Sequence, residues 1–92
     1  MTAATVGERF AVRVMVIEVW DQVFLAVEPT TAAGELKHRA LELALKRRVV
    51  ADAYQIKFRG ALVLDESVTL GALGAIANSA FIVLPGRRQP VR

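Results

Sequence analysis

The stretch FLAVEPTTAAGELKHRALELAL constrains the fold more than any other part of the chain. A β-like run breaks at Pro29 and gives way within a few residues to helical spacing. Pro29 has no N–H to give a strand ladder, so a strand ends there. Thr30 and Thr31 are expected to cap the helix that follows, and Glu35 stands in its first turn, where a carboxylate suits the helix dipole. Ala33, Leu36, Ala40, Leu43 and Ala44 trace one apolar stripe, with Glu35, Lys37, His38, Arg39, Glu42 and Lys46 mostly on the polar side.

Before this break, FAVRVMVIEVW and VFLAVE are rich in β-branched residues and are separated only by Asp21-Gln22, so they predict a β-hairpin whose tip includes Trp20. After the helix, Val49 to Asp52 connects to YQIKF, which alternates Tyr54, Ile56 and Phe58 against Gln55 and Lys57. Arg59-Gly60 turns the chain into a short candidate strand, ALVL. TLGALGAIANS carries turns and one helical turn, and AFIVL is a last strand stopped by Pro85-Gly86. The order β-β-α-β-β-β with one amphipathic helix predicts an α+β fold, a mixed four- to five-stranded sheet crossed by the helix, which is a β-grasp. Ninety-two residues suffice for one such core. Residues 1–9 are expected to form a loose N-terminal arm, 10–85 the domain, and 86–92 a flexible basic tail.

Composition narrows the chemistry. The chain has no cysteine, which removes disulfides and thiol catalysis and suits a reducing, cytoplasmic setting. No secretory signal is expected at the start, and the longest apolar run, VMVI, is far too short for a membrane span. His38 is the single histidine, so no metal-ligand constellation is expected. Gly71-x-x-Gly74 lacks the lysine and parallel strand of a phosphate loop. Ser67 and Ser79 have no nearby histidine, and no two carboxylates pair for acid–base work. The expectation is a non-enzyme without cofactor.

Those residues also resemble the ubiquitin family. LAVEPTTAAGELK is similar to the ubiquitin segment in which Val-Glu-Pro closes the second strand before a helix. KRRVVADAYQIKFRG resembles the family's connector and third strand in Asp52, Ile56, Phe58 and Gly60. Thr69-Leu70 and Ser79-Ala80-Phe81 fall where ubiquitin has its last helical turn and its entry to the last strand. The resemblance spans roughly residues 11–84 and implies a ubiquitin-like fold.

Its departures imply a non-conjugating, bacterial-type member. Covalent members end in Gly-Gly, whereas this sequence reads VLPGRRQPVR, so a modifier or sulfur carrier would require cleavage after Gly86. That alternative stays open. Lys57 replaces the third-strand isoleucine at the centre of ubiquitin's recognition patch, and Ala61 and Ala77 stand where chain-forming lysines would be. The resemblance implies an accessory or scaffold subunit, in the manner of the ubiquitin-like proteins that accompany type VII secretion systems or diiron toluene monooxygenases. Abundant alanine, valine and arginine agree with a GC-rich bacterial genome.

Three surfaces are candidates for a partner. Val19 and Trp20 stand at the hairpin tip, and the tryptophan either anchors another protein or folds back over the sheet edge. With Val12, Val14, Val16, Val23, Leu25 and Val27 turned to the helix, Met15, Ile17, Phe24 and Ala26 turn outward, to be covered by a partner, by residues 2–9, or by a second copy in a homodimer. Arg47, Arg48, Lys57, Arg59, Arg87 and Arg88 form a candidate basic surface, read as solvated charge or as a site for an acidic protein. Net charge is only +3, and Tyr54 and Phe58 are assigned to the core, so nucleic acid is not the expected partner.

Overall fold

The computed structural model describes residues 9–86, so residues 1–8 of the expected arm and 87–92 of the expected tail lie outside the described residues. Strand β1 (Phe10–Val16) and strand β2 (Asp21–Val27) pair antiparallel, from Phe10 opposite Val27 to Val16 opposite Asp21. The polar step expected at Asp21-Gln22 is not the turn, because both residues lie within β2. The chain reverses through Ile17, Glu18, Val19 and Trp20, closed by Val19 N–H to Val16 O at 3.3 Å and Trp20 N–H to Ile17 O at 3.1 Å. Trp20 makes this possible by adopting φ +52, a left-handed conformation that costs a bulky residue about 1–2 kcal/mol.

Helix α1 spans Ala33–Leu45. Its expected threonine caps are absent. Thr31 Oγ1 instead accepts from Glu28 N–H, and the first helical N–H groups, of Ala33 and Gly34, donate to Val68 O and Glu66 O, each at 2.9 Å. A distant loop thus satisfies the helix start through its backbone. Gly34 permits that approach, since a β-carbon there would lie 3.3 Å from Glu66 O. The buried stripe is also rotated from the expected one. Leu41 is fully buried and Leu43 is 48 % exposed, and Lys37, expected on the polar side, is only 3 % exposed. Residues 33, 36, 37, 40, 41 and 44 are the set that helical geometry places on one face, and Lys37 stands in its middle. Lys46 ends the helix with φ +57, its N–H returning to Glu42 O.

A 3₁₀ turn (Ala51–Ala53) leads to β3 (Tyr54–Phe58). Arg59 and Gly60, at φ +56 and +81, form the tight turn into β4 (Ala61–Leu62). The expected ALVL strand is thus shortened to two residues, although Val63 N–H still bonds Ile56 O. A one-turn helix α2 (Leu70–Leu73), capped by the Thr69 hydroxyl, precedes β5 (Ala80–Pro85). The sheet order is β2-β1-β5-β3-β4, with β5 parallel to β1 and antiparallel to β3.

Helix α1 covers one face of this mixed sheet. Leu36, Ala40 and Leu41 from the helix meet Val12, Val14, Ile56 and Phe81 from the strands, all essentially without solvent contact. Each large side chain buried here contributes about 1.5–3 kcal/mol. Phe58 stacks on Phe81 with ring centroids 4.6 Å apart. The opposite face has no helix over it among the described residues, and it carries the candidate site.

Candidate protein-docking face

Strand alternation builds the outer face row by row. On β1, burial of Val12, Val14 and Val16 turns Arg13 and Met15 outward. On β2, Phe24 points outward and is 59 % exposed. Phe24 pairs with Arg13, and Arg13 with Ala80. In the next row Met15 pairs with Ile82, Ile82 with Lys57, and Lys57 with Leu62. Ile82 and Leu62 are 39 % and 37 % exposed, while Met15 and Lys57 are half-buried. An apolar strip therefore runs from β1 through β5 to β4, with Lys57 set inside it, Gln22 at its β2 end and Arg13 beside it.

Val19 and Trp20 lie in the turn that joins β1 to β2. Trp20 is 73 % exposed, so its ring stands in solvent instead of folding back over the sheet edge. Ile17, expected on the outer face of a strand, belongs to the turn and is half-buried, with its N–H bonded to Val83 O at 2.9 Å. The turn is tied down from the helix side, where the Tyr54 hydroxyl donates to Glu18 Oε1. That hydrogen bond, with some burial and the Glu18 charge, raises the tyrosine pKa above its ordinary value.

The candidate basic residues are dispersed. Lys57 is on the outer sheet face. The Arg59 guanidinium lies 4.9 Å from the centre of the Phe58 ring, at the far end of β3. Arg47 and Arg48 are exposed in the connector after α1. Arg87 and Arg88 lie outside the described residues. Among the described residues the four cations do not share one face.

Sequence reasoning missed one polar feature. Lys37 Nζ reaches Glu66 Oε1 at 2.7 Å and donates to Tyr54 O at 2.9 Å. Both partners lie far along the chain, so helical spacing alone carries no sign of them. With those bonds made, Lys37 is a satisfied core residue. The hollow beside it, about 380 Å³ and lined by Asp52, Gln55, Leu62, Leu64 and Glu66, is open and shallow. No group of three or more metal-ligating side chains occurs among the described residues, and no helix among them is long and apolar enough to cross a membrane.

The sequence matches no protein-family model and no curated protein. Solved structures do match the fold. The ubiquitin of Caldiarchaeum subterraneum is similar over 90 % of this chain and all of its own, with a TM-score of 0.74 at 13 % identity. A ubiquitin-like domain from an Arabidopsis thaliana protein, solved by NMR, is similar over 99 % of this chain and 89 % of its own, with a TM-score of 0.71 at 18 % identity. Five mixed strands in the order β2-β1-β5-β3-β4, one long helix across one face, and these two likenesses together give the chain a ubiquitin-like β-grasp fold.

Proposed function

We propose that this protein is a non-catalytic interaction module that holds another protein non-covalently, as an accessory or scaffold subunit of a larger assembly. The assembly is of the kind served by ubiquitin-like subunits in type VII secretion or diiron monooxygenase systems, in a bacterial cytoplasm. The observation that carries this reading is the exposure of two aromatic side chains, Phe24 on the outer face of β2 and Trp20 in the hairpin turn that leads into the same strand, both largely in solvent. Aromatic side chains so placed are the usual energetic centres of protein interfaces, and truncating one costs about 2 kcal/mol or more of binding. Trp20 also occupies a backbone conformation that glycine or asparagine would adopt more cheaply, so its contribution is the ring.

The alternative, a modifier or sulfur carrier released by cleavage after Gly86, requires that glycine to extend freely into an activating enzyme. Gly86 instead donates its N–H to Ala53 O at 2.7 Å, and a β-carbon on it would lie 3.1 Å from Gln55 Cγ. It lies against β3, which favours the non-covalent reading.

The test is affinity capture of the tagged full chain from its native cells, in native and in denaturing buffer, beside the Trp20→Ala/Phe24→Ala double variant. The expected partner is retained natively, lost on denaturation and depleted with the double variant. An adduct that survives denaturation, or a chain whose intact mass ends at Gly86, would instead establish the covalent alternative.

A further inference from the structure

The outer face has a charge pattern that specifies its partner more narrowly. No aspartate or glutamate stands at an outward-facing position of the five strands. Four of the described acids beside the sheet lie elsewhere: Asp21 on the inward side of β2, Glu18 bonded by Tyr54, Glu28 beside Arg9, and Glu66 on Lys37. The face keeps Arg13 and Lys57, and neither makes an ion pair among the described residues. Arg13 donates to Asn78 O at 3.4 Å, whereas Lys57 has no side-chain hydrogen bond among the described residues.

Resting on the docking face just described, we propose that the segment of the partner seated there presents a carboxylate to Lys57 from between its own apolar contacts. Lys57 stands between Ile82 and Leu62 in one row, so a segment covering Met15, Ile82 and Leu62 must pass over it. Covering an ammonium without an anion is costly, and a paired, hydrogen-bonded carboxylate removes most of that cost. The chain uses the same solution internally, where Lys37, buried beneath the helix, is met by Glu66. A second copy stacked face to face would bring only Lys57 and Arg13, so like charges oppose a homodimer through this surface. Anionic lipid is recognised by larger cationic clusters, about four to eight residues, than the two cations found here. An acidic, apolar protein segment fits the pattern.

The experiment is panning of a random-peptide display library against the full wild-type chain. Selected peptides are then titrated against Lys57→Glu, Phe24→Ala and Arg48→Glu variants whose folding has been checked by circular dichroism. Selected peptides are expected to combine aspartate or glutamate with large apolar residues. They should weaken roughly tenfold or more on Lys57→Glu, weaken on Phe24→Ala, and bind Arg48→Glu as they bind wild type. Peptides that lose affinity on Phe24→Ala but not on Lys57→Glu, or that carry no acids, would overturn the carboxylate proposal and leave the docking face standing. Peptides indifferent to both variants, or no selection at all, would count against both. Binding of the chain to phosphatidylserine-containing vesicles, lost on Lys57→Glu, would reassign the face to lipid.

Discussion

Lys37 and Lys57 lie on opposite sides of one β-sheet, each among apolar side chains, and they are handled in opposite ways. Lys37 projects from α1 into the interior, where Glu66 and Tyr54 O receive its ammonium. Lys57 projects from β3 onto the outer face, between Ile82 and Leu62, and makes no ion pair among the described residues. The inner face is complete: its strand residues Val12, Val14, Val16, Ile56, Phe81 and Val83 are buried beneath the helix. The outer face has the same alternation of strand residues and, among the described residues, no covering layer. What separates the two is closure, and an open face that carries Phe24, with Trp20 exposed in the adjoining turn, is suited to closure by another protein.

The contrast can be broken at several points, and the largest effect is expected in the core. Phe81→Ala should cost about 3–5 kcal/mol, while Ile82→Ala, one residue along the same strand but outward, should cost under about 1 kcal/mol, both read from urea unfolding midpoints. Equal losses would mean that the outer face is as tightly packed as the inner.

The two lysines come next. Glu66→Ala strands the Lys37 ammonium and is expected to cost about 2–3 kcal/mol, less than a fully buried pair because Glu66 keeps a third of its exposure. Lys37→Met, which removes the charge with its need for a partner, should stay within about 1 kcal/mol of wild type. Lys57→Met should leave stability unchanged within about 0.5 kcal/mol. A Lys57→Met loss as large as that of Glu66→Ala would show that Lys57 is already satisfied within the chain.

At the hairpin tip, Trp20→Asn should raise stability by up to about 1 kcal/mol while weakening the partner, because asparagine tolerates φ +52 better and the ring is gone. Thermal unfolding and native capture check the two halves separately.

The smallest effect is a pH dependence. Folding raises the Tyr54 pKa, chiefly through the hydrogen bond to Glu18, so folding favours the neutral phenol. The associated stability is present below the ordinary tyrosine range and is lost as pH rises through the folded value. Tyr54 is the only tyrosine, so its ultraviolet titration reports the shift directly, and Glu18→Gln should bring the midpoint down.

How far all this was legible in the sequence follows from how local each cause is. Pro29 ends a strand by its own chemistry, YQIKF shows its two faces by alternation, and Arg59-Gly60 marks a turn, so the β-grasp order could be read residue by residue. The outward positions of Met15, Phe24 and Lys57 followed from the same alternation. Of the hairpin tip only Trp20 was legible; that the reversal ends before Asp21 was not, because it depends on that tryptophan taking a left-handed conformation that bulky residues seldom adopt. The start of α1 was misread because its N–H groups are met by Glu66 O and Val68 O from a loop some thirty residues on, and not by the adjacent threonines. Lys37 was misplaced for the same reason: a lysine is expected in water unless an anion is at hand, and Glu66 is 29 residues away in sequence.

The most direct measurement is hydroxyl-radical footprinting of the protein in intact native cells, compared with the purified chain. Met15, Trp20 and Phe24 are expected to become protected in the cell, while Val50 and Leu43, exposed on the helix side of the sheet, remain equally reactive in both. Equal reactivity of Met15, Trp20 and Phe24 in the two settings would show that nothing covers the outer face, and would contradict the account.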